Sequence, residues 1–91
     1  MVRYYFRFIG RVQGVGFRFF VCMNAERCHL TGWVRNLPDG SVEAEVQGTK
    51  VSIQQFLEQT KNDGHRFIRI DEVQSEECSL KDGEKKFKVV Y

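Results

Sequence analysis

At 91 residues and 10.7 kDa the chain has room for one packed domain, residues 1–91, and none for a second core. Its 42% hydrophobic and 29% charged residues exclude a disordered or fibrous protein, and no apolar run nears the ~20 residues of a bilayer span, because Arg3, Arg7 and Arg11 break up the first stretch. The net charge of +2 hides an asymmetry: six arginines, no lysine and the single acid Glu26 make +5 through residue 35, against −3 over the remainder.

Val2 to Gly10 alternates, with Val2, Tyr4, Phe6 and Phe8 on one face and Arg3, Tyr5 and Arg7 on the other, the pattern of a half-buried strand. From Phe17 to about His29 the period lengthens, and Phe17, Phe20, Val21, Ala25 and Cys28 fall on one helical stripe. Thr31 to Leu37 and Ser41 to Gln47 alternate again around Pro38-Asp39-Gly40, whose proline and glycine suit a short hairpin turn. Val51 to about Asn62 predicts a second helix with Ile53, Phe56, Leu57 and Thr60 inward and Gly64 placed to end it. Phe67 to about Glu76 and Lys85 to Tyr91 predict two more strands. The order β, α, β, β, α, β with an extra C-terminal strand predicts an α+β, ferredoxin-like sandwich, with two helices on one face of a mostly antiparallel sheet. Many unrelated functions share that fold, so the chemistry must be read from particular residues.

The first such residues lie in Gly10-Arg11-Val12-Gln13-Gly14-Val15-Gly16-Phe17-Arg18, which joins strand to helix through three glycines. A loop of this kind can aim several backbone N–H groups at one point, and the helix N-terminus behind it adds a partial positive charge that favours an anion. Arg18 could close a bidentate contact on phosphate, using a planar fork that lysine lacks. A tight β-to-α turn also uses glycine, and neither GxxxxGK[ST] nor GxGxxG is present, so the loop alone does not decide the matter. Asn36 adds a parity argument. Gly32, Val34 and Asn36 share a face, and hairpin pairing sets Val34 near Ala44 and Asn36 near Val42 on the apolar, helix-covered side. A primary amide there needs partners: either Asn36 caps the hairpin turn, or it sits where this face opens to a ligand.

Two segments together, Gly10-x-Val12-Gln13-Gly14-Val15-Gly16-Phe17-Arg18 and Gly32-Trp33-Val34-Arg35-Asn36-x-x-Asp39-Gly40-x-Val42-Glu43 with Gly48, resemble the acylphosphatase family, at the expected separation and over essentially the whole chain. The resemblance implies hydrolysis of the carboxyl–phosphate anhydride of small-molecule acyl phosphates to a carboxylate and inorganic phosphate. It implies that Arg18 binds the phosphoryl group and Asn36 holds and orients the attacking water. The backbone N–H groups of Gln13, Gly14, Val15, Gly16, Phe17 and Arg18 would cradle the phosphate oxygens. A carboxylate leaves readily, so arginine, amides and a placed water suffice, and no metal or cofactor is expected. A cytoplasmic monomer with no nucleic-acid or membrane partner is the accompanying expectation.

Other readings compete with this one. An RRM-like module for single-stranded RNA has the same element order, but its stacking aromatics need an exposed strand face, which here offers Trp33 and Tyr5 among charges. A fused acylphosphatase-like domain of a larger carbamoyl-transfer maturation protein would extend far beyond Tyr91 and bring zinc-binding cysteines. His29 and His65 end predicted helices, away from the loop, and read as C-terminal charge complements more than as acid–base catalysts. Cys22, Cys28 and Cys78 are an odd count at no metal-ligand spacing; they read as free thiols in packing, which suits a reducing compartment. Asp71, Glu72, Glu76, Glu77, Asp82 and Glu84 read as a solvated edge and loop, and Lys85-Lys86-Phe87-Lys88 as a strand edge guarded by lysine.

Overall fold

A computed structural model describes residues 1–91. The elements run β1 (Val2–Arg11), α1 (Phe17–Arg27), β2 (Thr31–Asn36), β3 (Val42–Gly48), α2 (Lys50–Asn62), β4 (Arg69–Cys78) and β5 (Phe87–Val89). The five strands form one sheet in the order β4-β1-β3-β2-β5, antiparallel throughout except for β5, which lies parallel to β2. This is the expected α+β, ferredoxin-like architecture.

The alternation in β1 does what its period demands. Phe6 and Phe8 pair with Ala44 and Val42 of β3, and all four are buried beneath the helices with Val34 and Val46. The predicted stripe of α1 is buried in full, as are Ile53, Phe56 and Thr60 of α2, with Leu57 half-buried. Asn24, which carried no apolar signal, is buried too: its Nδ2 donates to Thr60 Oγ1 at 3.2 Å, and this bond ties the helices together. Thr49 starts α2 by accepting from the Ser52 amide through Oγ1.

Several boundaries move. Helix α1 stops at Arg27 through paired bonds from the Leu30 amide to the Ala25 carbonyl and from the His29 amide to the Glu26 carbonyl, and His29 turns left-handed at φ 57°. This is a Schellman ending whose reversing position holds histidine where glycine would be unstrained. Helix α2 ends at Asn62 as expected but starts one residue early, at Lys50, and its last turn is closed by the Asp63 amide on the Gln59 carbonyl. Strand β4 begins at Arg69 and reaches Cys78, because β1 offers pairing partners from Arg11 back to Arg3. Strand β5 is held to three residues by its pairing with Gly32 to Val34.

The face of the sheet away from the helices is a polar lattice. Arg3 belongs to the predicted polar face yet is 1% exposed, donating to Glu45 at 2.6 Å, Glu84 at 2.8 Å and Gln47 at 3.1 Å. Glu84 is therefore no solvated loop acid: its turn folds over the sheet onto Arg3. Tyr5 donates to Glu43, and Arg35 pairs with the same carboxylate while lying over Trp33.

Candidate active site

The β1–α1 loop is pinned at both ends by apolar anchors. Val12 and Phe17 are each 1% exposed, and the Phe17 ring meets Phe8 edge-on at 5.3 Å. Between them Gly14 and Gly16 adopt φ 73° and 76°, while Gln13 and Val15 keep negative φ. Alternating signs of φ curl successive N–H groups toward one side, the geometry of a backbone anion nest. Gly16 also caps α1 without a side-chain acceptor for the first turn. None of the backbone amides from Gln13 through Arg18 donates to a protein acceptor.

The nest opens on a cavity of about 250 Å³ lined by Val12, Gln13, Gly14, Gly16, Phe17, Arg18, Phe19, Asn36, Val89 and Tyr91. Two segments eighteen residues apart in sequence, Arg18 and Asn36, thus share one wall. Arg18 is half-buried and has no carboxylate partner; its guanidinium lies over the Tyr91 ring at 5.0 Å. Asn36 pairs with Val42 on the helix-covered face, as parity requires. Its Oδ1 is buried with no hydrogen-bond partner, the only such side-chain atom in the protein. The hairpin turn is capped instead by Asp39, whose Oδ1 accepts from the Ser41 amide at 2.9 Å and hydroxyl at 2.5 Å. Those two bonds, with Arg7 alongside, hold the Asp39 carboxyl down at about 2. The turn cap that sequence reading offered to Asn36 is thus taken by Asp39, and Asn36 lines the cavity.

Two side chains outside the expected roles fix the loop. Gln13 Nε2 donates to the carbonyls of Leu37 and Ser41, both at 2.8 Å, and so clamps the nest to the hairpin that carries Asn36. His65 is not away from the loop: the turn after α2 brings its Nε2 to 2.8 Å from the Val15 carbonyl. Val15, alone among the predicted cradle residues, does not line the cavity. His29 stays remote at the end of α1. Cys22, Cys28 and Cys78 are free and lie outside the cavity, and burial pushes each thiol up, away from nucleophilic use.

Phe19, Val89 and Tyr91 were not singled out by sequence reasoning. Phe19 is apolar yet 75% exposed, a signal visible only once its helix is placed, and Val89 and Tyr91 arrive through the parallel pairing of β5 with β2. The assembled wall carries one guanidinium, the nest of amides and a helix N-terminus, and none of its side chains is a carboxylate, imidazole or thiol. It can hold a compact oxyanion and present an acceptor, Asn36 Oδ1, beside it.

Comparison with known proteins identifies the family. The acylphosphatase family model matches residues 4–89. An acylphosphatase of Bacillus licheniformis is 45% identical over the whole of both chains. The crystal structure of acylphosphatase from Bacillus subtilis superposes with a TM-score of 0.93 at 40% identity, again covering all of both chains. A full-length HypF crystallised in a phosphate- and nucleotide-bound form matches 99% of this chain with only 12% of its own, at a TM-score of 0.87 and 32% identity. The chain belongs to the acylphosphatase family.

Proposed function

We propose that this member of the acylphosphatase family hydrolyses the carboxyl–phosphate bond of small-molecule acyl phosphates, with Arg18 and the amides of Gln13 through Arg18 holding the phosphoryl group and Asn36 orienting the water. The observation that carries the reading is one cavity lined by an unpaired guanidinium, a loop whose amides are unpaired and an orphaned buried acceptor. A partnerless buried oxygen costs stability and a water bound beside the substrate satisfies it, while the loop donors stand open to the phosphoryl oxygens.

The water lone pair attacks phosphorus as the bond to the acyl oxygen breaks, and the carboxylate departs with that electron pair. Asn36 Oδ1 accepts one water O–H, which aims the oxygen at phosphorus. No side chain of the wall is a base, so the water's proton passes to a phosphoryl oxygen of the substrate itself. Charge that develops on the equatorial oxygens meets donors already in place, so little reorganisation is needed. The reaction as proposed needs no metal or cofactor, because a carboxylate leaves readily.

In this reading the protein works as a cytoplasmic monomer, without nucleic acid or membrane. The RNA-binding alternative gains nothing from the open face, where Tyr5 and Trp33 are engaged by Glu43 and Arg35 beside the carboxylate of Glu45. The test is phosphate release from acetyl phosphate or benzoyl phosphate, with EDTA present, by wild type, Arg18→Gln and Asn36→Ala. Rapid release lost in both variants is expected. A folded wild type without activity would refute the assignment.

A further inference from the structure

Val15 stands in the middle of the nest, yet its carbonyl points out of it, to His65. The ring of His65 is oriented at both nitrogens. Nδ1 accepts from the Phe67 amide at 3.1 Å, so Nε2 carries the hydrogen and donates to the Val15 oxygen at 2.8 Å. Phe67 also meets the imidazole edge-on at 5.8 Å. This contact joins two segments 50 residues apart, and His65 belongs to neither of the motifs that carry the site.

A trans peptide is planar, with its C=O and N–H pointing in opposite directions, and the chain contains no cis bond. Anchoring the Val15 carbonyl on the outside therefore aims the Gly16 N–H inward, and Gly16 lines the cavity. The opposite orientation of the same peptide would present a carbonyl oxygen to the phosphoryl group. Glycine at position 16 makes that flip inexpensive, because its φ can take either sign. The glycines that let the nest form thus also leave it free to turn over, and something outside must select one state.

We infer that His65 is a positioning residue that latches the Val15–Gly16 peptide in its anion-binding orientation. The inference rests on the proposed function, since it concerns how the same nest is held. His65 does not line the cavity and touches no substrate; it acts through the peptide.

The experiment is a titration of wild type, His65→Ala and His65→Gln with inorganic phosphate, followed by amide NMR with urea unfolding run in parallel. Glutamine carries its Nε2 as many bonds from Cβ as histidine does, so it can donate to the same carbonyl. His65→Ala is expected to weaken phosphate binding about 3- to 10-fold, the worth of one ordinary hydrogen bond, and to move the Gly16 amide resonance in the free protein. His65→Gln is expected to restore most of both. A merely structural histidine would lower the unfolding midpoint while leaving phosphate affinity and the Gly16 resonance as in wild type, and that result would overturn the latch. A loss in alanine that glutamine does not repair would overturn it as well. If wild type itself bound no phosphate, the proposed function would fall and the latch with it, whereas unchanged affinity in the alanine variant would remove the latch alone.

Discussion

Replacing Arg18 with glutamine should separate binding from stability, because the guanidinium is held by nothing ionic in the protein. The guanidinium lies over the Tyr91 ring at 5.0 Å, and an exposed cation–π contact contributes about 0.5–1 kcal/mol. The unfolding free energy should therefore change by no more than about 1 kcal/mol. Against a phosphoryl group the same side chain would form two parallel charge-assisted bonds, each worth about 1.5–3 kcal/mol. Their joint loss amounts to about 3–6 kcal/mol, or roughly 10²- to 10⁴-fold in kcat/KM. Arg18→Lys, which keeps the charge without the fork, should fall between the two. The assays are phosphate release at acyl phosphate concentrations below KM and urea denaturation of the same samples. If Arg18→Gln kept kcat/KM within about tenfold of wild type, or lost several kcal/mol of stability, this division of labour would be wrong.

Asn36→Ala should reduce kcat by about 10²-fold through loss of water alignment, while phosphate affinity stays nearly constant and stability holds or rises by up to about 1 kcal/mol as an orphaned acceptor is removed. A clear loss of stability in urea would show that Asn36 has a structural partner after all. His29→Gly should raise stability by about 0.5–1 kcal/mol, since φ 57° strains histidine and suits glycine; a thermal melt that drops on this change would contradict the Schellman account. Asp39 is ordinarily half-protonated at 3.8 but sits at about 2 in the fold. A depressed carboxyl stabilises the native state above its unfolded value, so the contribution is whole above pH about 4 and disappears as pH falls through about 2. Asp39→Asn should accordingly show a shallower loss of stability than wild type across that window, and parallel curves would remove the carboxylate from the acid response.

How much of the site could be read in advance depended on the range of the interaction. The curl of the nest is local, and three glycines between an alternating run and a helical stripe announced it. The direction of Asn36 followed from counting along β2 and β3, because strand period and hairpin register leave no freedom over so few residues. Gln13 gave no comparable signal: its amide reaches carbonyls at Leu37 and Ser41, and a glutamine seeking a distant carbonyl has no periodic mark. His65 was misplaced for the same reason, since only the path of the turn after α2 carries it to Val15.

Element types, the faces they bury and the family to which the two motifs point were legible along the chain, because covalent geometry writes strand and helix periods into neighbouring residues. Which polar side chains are solvated and which are held became visible only in the folded molecule. Arg3 looks like any exposed strand arginine until Glu45 and Glu84, 42 and 81 residues away, close over it. Tyr91 meets Arg18 only because β5 returns alongside β2. Apolar burial follows a pattern that the chain carries locally. A polar group's fate turns on which partners the fold brings within about 3 Å, and that distance belongs to the assembled molecule.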